Sequence, residues 1–221
     1  DFAFYGCSGL KGSLTLGSQV SRIGKYAFSG LGLTGALRIG LDKFCSIEEN
    51  AFSKCSQFNE LRLFNVTSID QYAFYKCTGF EGNLSIKPLY KYWYDSDGYP
   101  DYPEQTDEYL SIGHYSFYGC TGFNGFLELP CYVNLIGNYA FYNCSNLIGD
   151  LTIPYQTIII GNYSFYGCSK LGPSLKFNGH QNDSNDMRLQ YIGNYAFYGC
   201  SGFSDDLVLP YNLYYFGRYA F

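Results

Sequence analysis

The chain repeats itself. The phrase IGNYAFYGCSGF at residues 192–203 recurs as IGHYSFYGCTGF from Ile112, IGNYAFYNCSNL from Ile136 and IGNYSFYGCSKL from Ile160. Its central phenylalanine falls at Phe4, Phe28, Phe52, Phe74, Phe117, Phe141, Phe165, Phe197 and Phe221, at intervals of 24, 24, 22, 43, 24, 24, 32 and 24 residues. A 24-residue unit accounts for five of these, and the others need one short deletion and insertions of 19 and 8 residues. So short a unit cannot bury its own apolar edge. Stacked on its neighbours it becomes one layer of a continuous core, with equivalent residues in ladders about 4.8 Å apart and a solenoid section on the order of 40 Å long.

Within a unit such as CSNLIGDLTIPYQTIIIGNYSFYG from Cys144, the alternation Leu151, Thr152, Ile153 reads as a short strand with one buried face. Pro154 ends it, because proline has no amide to give to a ladder. Apolar residues recur three positions before the phrase isoleucine or its equivalent, at Val20, Phe44, Val66, Val133, Leu189 and Leu213. Asn138, Asn162 and Asn194 stand where a helix N-cap would, and Gly119, Gly167 and Gly199 where a left-handed stop would. The spacing predicts one or two helical turns between them.

The phrase cysteine invites a reading as a reactive thiol, but repetition argues otherwise. Seven of nine cysteines occupy this position (Cys7, Cys55, Cys77, Cys120, Cys144, Cys168, Cys200), Leu31 replaces it once, and Cys45 and Cys131 lie elsewhere. A nucleophile is not needed seven times, and leucine cannot stand in for one. Placed four residues after Ala140, Cys144 would face inward on a short helix as a small core filler. No C-x₂-C pairs with zinc spacing occur, and the odd count is a poor disulfide framework. Thirteen of 25 tyrosines fall in two phrase columns, one from Tyr26 to Tyr219 and one from Tyr5 to Tyr198, and their periodicity points to packing or surface ladders.

The joint pattern C-x-x-L-x-G-x-L-x-I-P followed by I-G-x-Y-A-F resembles the BspA-like leucine-rich repeats over nearly the whole chain, the two insertions excepted. The resemblance implies an α/β repeat solenoid, a short parallel strand plus a short helical turn per 24-residue unit, wound as a curved right-handed superhelix. It also implies a surface protein of the kind found in mucosa-dwelling bacteria and protozoan parasites, linked to adhesion and to host matrix proteins. The chain opens at DFAFYGC and closes at GRYAF, both inside the phrase. The expectation is therefore one repeat domain over 1–221, cut from a longer array, with insertions at about 89–109 and 179–188.

Composition limits the function. The net charge is −5, which argues against nucleic acid or an anionic membrane as partner. No apolar run approaches a spanning length. All the net charge lies in residues 90–109, where six acids face one base, Lys91. The two histidines, His114 and His180, sit in a variable phrase position and in an insertion, and no catalytic or phosphate-cradling motif appears. The expectation is a non-enzymatic protein without cofactor or metal. A calcium site at Asp95, Asp97 and Asp101 is poorly supported, since Gly98 comes too early for an EF-hand loop.

Two regions are candidates for binding. Strand residues pointing away from the core form two variable columns, Ser13, Ala36, Glu60, Asn83, Phe126, Asp150, Ser174, Asp206 and Thr15, Arg38, Arg62, Ser85, Glu128, Thr152, Lys176, Val208. Of these, Arg38, Arg62, Phe126 and Glu128 are singled out as partner-binding. The first insertion adds Tyr92, Trp93, Tyr94, Asp95, Asp97, Tyr99, Asp101 and Tyr102, aromatic anchors with a charged rim. Both insertions emerge along one edge, their roots roughly 15 Å apart. Sequons occur at Asn65, Asn83, Asn143, Asn162 and Asn182, with Asn182 the best candidate for glycosylation. The leading expectation is a secreted or cell-surface adhesion module for protein or glycan partners such as host matrix proteins; the rival is a spacer or coat array that projects other domains.

Overall fold

The computed structural model describes the chain apart from residues 41–42, 88–92, 95–99, 102–108 and 178–186, and describes the backbone alone at 93–94 and 100–101. Successive repeats cross two parallel sheets, except that residues 207–209 of the last form no strand. The front sheet runs through Leu14–Thr15, Ala36–Ile39, Glu60–Phe64, Leu84–Lys87 and Leu127–Glu128. Gly149–Ile153 and Leu171–Phe177 continue it as a separate pair, joined to it by a single bridge between Phe126 and Ile148. These are the strands expected from the Leu-x-Ile alternation. The second sheet was not foreseen. Its eight strands run from Arg22–Ile23 to Tyr215–Phe216, each ending at or next to the phrase isoleucine or its counterpart. Inside the first insertion, Trp93–Tyr94 pairs antiparallel with Pro100–Asp101.

The predicted helical turns are absent: the described residues contain no helix. The phrase is instead a chain of tight turns whose amides alternate in direction. In one rung Tyr139, Phe141 and Asn143 donate to the carbonyls of Asn162, Ser164 and Tyr166 on the next, at 2.7–2.9 Å. The amides between them close local turns, Ala140 to Gly137, Tyr142 to Tyr139 and Cys144 to Phe141. The alternation requires left-handed residues, and Tyr139 and Asn143 take φ of +58° and +55°. Seven phrase tyrosines share this conformation, each at a cost of about 1–2 kcal/mol. A helix of one or two turns would not recover its nucleation cost, whereas the turns tie every second amide to a neighbouring rung.

The phrase asparagines are accordingly not N-caps. Asn138 Oδ1 accepts the amide of Asn162 at 2.8 Å, and Asn162 Oδ1 accepts that of Asn194 at 2.7 Å, so each side chain satisfies the equivalent position one rung on. The glycine before them is required by proximity. A Cβ on Gly161 would lie 2.6 Å from the Asn138 amide nitrogen.

The core is a file of stacked phenylalanines. From Phe4 to Phe221 consecutive phrase rings lie 5.1–5.4 Å apart and within 14° of parallel. The file passes both insertions unbroken, with Phe74–Phe117 at 5.1 Å and Phe165–Phe197 at 5.2 Å. The cysteine beside it does more than fill space. Cys55, Cys77, Cys120, Cys144, Cys168 and Cys200 each donate a thiol hydrogen bond to the phrase phenylalanine carbonyl of the preceding rung, at 2.9–3.1 Å. Burial pushes the Cys144 and Cys200 thiols up to about 12 and that of Cys55 to about 11, so they are protonated and unreactive near neutrality.

Two outcomes follow for stability and reactivity. Cys144→Ala removes both packing and the bond to the Phe117 carbonyl, and urea denaturation should show a loss of about 1–2 kcal/mol. In the native state a thiol reagent should label exposed Cys7 quickly and the six bonded thiols only on unfolding. Phe141→Ala, which empties a layer shared with both neighbours, should cost about 3–5 kcal/mol, and half-buried Thr152→Ala about 0.5 kcal/mol or less. Equal losses at the two positions would invert the assignment of faces.

Candidate recognition surfaces

The front sheet places most of the variable residues as the alternation requires, but no strand forms at Asp206 and Val208. Its register sets Thr15 beside Arg38, Arg38 beside Arg62, Ser85 beside Glu128 and Thr152 beside Lys176. The column is less open than the pattern suggests, since Ala36 and Ser174 are buried. Several of its side chains serve the frame: Ser13 Oγ, Asn83 Oδ1 and Asp150 Oδ1 accept the amides of Ala36, Phe126 and Ser174.

The charges on this face are largely answered within it. Glu60 receives Arg62 at 2.6 Å and Arg38 at 3.4 Å. Lys87 approaches Glu128 at 3.8 Å, and Lys176 meets Asp150 at 2.6 Å. The Lys176 ammonium and the Ser174 amide hold the Asp150 carboxyl below its ordinary range. Solvent-exposed pairs of this kind add little stability. They do leave Arg38 and Arg62 committed to a neighbour.

The face opens between Leu127–Glu128 and Gly149–Ile153. Leu127–Glu128 is only two residues long, and Gly149–Ile153 pairs onward with Leu171–Phe177. No ladder joins the two beyond the Phe126–Ile148 bridge. The sheet parts there into an open depression of about 490 Å³, lined by Phe126, Leu127, Glu128, Leu129, Gly149, Asp150 and Thr152. Phe126 is 50% exposed, and its ring lies over Gly149, whose added Cβ would meet Cδ1 at 2.4 Å. Gly149 also takes φ of +78°, so two constraints fix a glycine at this point.

This depression has a defined relation to the insertions. One strand beyond it on each side, Leu84–Lys87, next to Leu127–Glu128, leads into the first insertion, and Leu171–Phe177, next to Gly149–Ile153, leads into the second. Of the sequence candidates, Phe126 and Glu128 therefore come together here, while Arg38 and Arg62 lie with Glu60 farther along the sheet. Tyr92, Asp95, Asp97, Tyr99 and Tyr102 lie outside the described residues, as do His180 and Asn182, and only the backbone of Trp93, Tyr94 and Asp101 is described. Among the other sequons, Asn65 is buried, the side chains of Asn83 and Asn162 bond to the frame, and Asn143 is exposed. The depression itself was not read from the sequence, because Pro130 and Gly149 stand at ordinary repeat positions, matched by Pro154 and Gly125 one period away.

The turns present a different surface. Tyr72, Tyr115, Tyr139, Tyr163, Tyr195 and Tyr219 stack face to face at 4.6–5.1 Å, and Tyr75, Tyr118, Tyr142, Tyr166 and Tyr198 form a second file at 4.8–5.4 Å. Burial and neighbouring phenols raise the hydroxyls of Tyr139 and Tyr142 above their ordinary range. Stacking uses up the ring faces, so the files offer edges and hydroxyls. The histidine on this surface serves the frame: His114 Nδ1 accepts the Asn138 amide at 2.8 Å. Among the described residues no three His, Cys, Asp or Glu converge as metal ligands, and no helix is long and apolar enough to cross a membrane.

A solved leucine rich repeat protein of T. pallidum superposes with a TM-score of 0.59, at 21% identity, over 87% of this chain and 78% of that one. A leucine-rich repeat protein from Bacteroides ovatus gives 0.41 at 22% identity, over 90% of this chain and 55% of its own. At these identities the first likeness is one of fold. No curated protein matches the sequence. The sequence profile of the BspA type leucine rich repeat region matches in six copies, over residues 1–95 and 101–221. With two stacked sheets, a phrase-by-phrase core and that coverage, the chain belongs to the BspA-type leucine-rich repeat family.

Proposed function

We propose that the chain is a non-enzymatic recognition module of a secreted or cell-surface protein, and that it binds a protein or glycan partner, such as a host matrix protein, through the front sheet between its two insertions. The observation that carries this reading is the depression at Phe126 and Gly149. It is the break in an otherwise self-satisfied face, it exposes an aromatic ring, and insertions leave the frame on both sides of it. A half-exposed aromatic beside a cleft, with carboxylates at the rim, is the composition of an interface hot spot. Leucine-rich repeat proteins in general act as protein-interaction or surface modules, which supports the same class of function.

The test is a direct binding screen of the chain against matrix proteins and glycans, followed by variants. Phe126→Ala should weaken the partner it finds about tenfold or more, a loss of roughly 1.4 kcal/mol or above, with the unfolding midpoint little changed. Replacing residues 89–109 by a short Gly/Ser linker should leave the solenoid folded, because the phenylalanine file already spans the insertion, and should also weaken binding. A basic partner would show added loss with salt. Failure of the whole screen would favour a spacer that projects other domains, and full binding by Phe126→Ala would move the site off the depression.

A further inference from the structure

The tyrosine files on the turn face stop at the same place. In the first, Phe2 stacks on Tyr26 at 5.0 Å, and the unbroken run begins again with Tyr72 on Tyr115 at 4.9 Å. The rung between Tyr26 and Tyr72 carries Asn50. In the second file the rungs before Tyr75 carry Ser53 and Ser29, both buried. Tyr26 and Tyr72 thus flank one missing ring, about 10 Å apart at twice the inter-strand spacing. Among the described residues Tyr26 has ring contacts with Phe2 and Tyr5, both on the preceding rung, and Tyr72 has them with Tyr115 beyond and with Tyr75, nearly perpendicular, on its own rung. No ring stacks on either from the Asn50 side.

The backbone does not demand this gap. Asn50 takes φ of +57°, against +55° at Tyr26 and +59° at Tyr72, so the chain passes through in the geometry that tyrosine adopts elsewhere. Asparagine tolerates that conformation well, but seven tyrosines show it is not required.

Two further observations say what would enter. The first is Asp70, half-buried two residues before Tyr72, which makes no hydrogen bond or ion pair with its side chain among the described residues. Its neighbours are answered: Glu48 by Arg22 at 2.9 Å and Glu49 by Lys25 at 3.2 Å. Burial raises the Asp70 carboxyl, and the charges that act on it, Glu48, Lys25 and Glu49, all lie on the two rungs of the gap side. The second is Lys76, whose Nζ lies 5.3 Å from the centre of the Tyr75 ring. Tyr118 stacks on the same ring at 5.2 Å, and the rung before it carries Ser53 in place of a ring. A phenol at the end of the second file already holds a cation.

We propose that the interruption at Asn50 is a binding site for a guanidinium group, the arginine side chain of a partner protein. A guanidinium is planar, stacks on aromatic faces and presents N–H donors at its edge to a carboxylate. Lodged between Tyr26 and Tyr72 it restores the stack and brings a donor edge toward Asp70. A neutral ring would restore the stack and leave Asp70 unanswered; an ammonium would answer Asp70 and leave the ring faces poorly filled. The site lies on the turn face, away from Phe126 and the front depression, so its test is independent of that reading.

The probe is N-acetyl-arginine methylamide, titrated into the whole chain while the Tyr26 and Tyr72 ring resonances are followed, with the lysine analogue and p-cresol as comparisons. The arginine probe should shift both rings saturably and bind more tightly than either comparison. Asn50→Tyr, which supplies the missing ring, should reduce binding about tenfold or more while preserving the fold, and Asn50→Ala should retain it. Asp70→Asn leaves the rings in place and should weaken the arginine probe several-fold while leaving p-cresol unchanged. Equal binding to wild type and to a folded Asn50→Tyr, p-cresol binding as tight as arginine, or no effect of Asp70→Asn would each overturn the assignment.

Discussion

Every second amide in the repeated phrase points along the solenoid axis, and the rest of the structure follows from it. The donors of Tyr139, Phe141 and Asn143 hold the next rung within hydrogen-bond distance over the whole phrase, not only over the strands. At that separation a Cβ cannot fit between Gly161 and Asn138, so the neighbour imposes glycine at this rung. The same spacing leaves one ring thickness per layer, which the phenylalanines fill inside and the tyrosines outside. Stacked aromatic pairs contribute roughly 0.5–1.5 kcal/mol beyond their buried area. Repeated along the file, that is comparable with the strain of the left-handed tyrosines.

The cysteine illustrates how a periodic frame removes chemistry from a residue that would otherwise have it. Its thiol is aimed at a carbonyl of the rung below, it is buried, and desolvation keeps it protonated. Leu31 is tolerated because the bond is one of many. The phrase that looks most reactive in the sequence is a structural joint.

The proposed recognition function therefore falls where the repetition fails. A regular face satisfies its own groups: Glu60 answers two arginines, and the side chains of Asn83 and Asp150 answer backbone amides. Two departures from it are the parted front sheet at Phe126 and the missing ring at Asn50. They lie on different faces of the solenoid. The insertions also leave the frame without disturbing it, because the phenylalanine file continues past them in unchanged stacking.

The sequence by itself determined the repeat, the solenoid, the front strands and the inward set of Phe, Ala, Cys and Leu, because burial of a periodic apolar edge admits few arrangements. It also identified the family motif and placed Phe126 and Glu128 on an outward column. Tertiary structure decided what replaced the helix. Asn138 and Gly167 suit either a capped helical turn or a run of tight turns, and the choice rests on amides supplied by rungs 24 or more residues away. The second sheet was hidden for the same reason, since Ile159–Ile160 is a strand only because Leu135–Ile136 and Tyr191–Ile192 flank it. The depression and the ladder gap depend on which residues of adjacent rungs fail to meet. A linear pattern records each residue's own preference, whereas those two features are set by distances between layers.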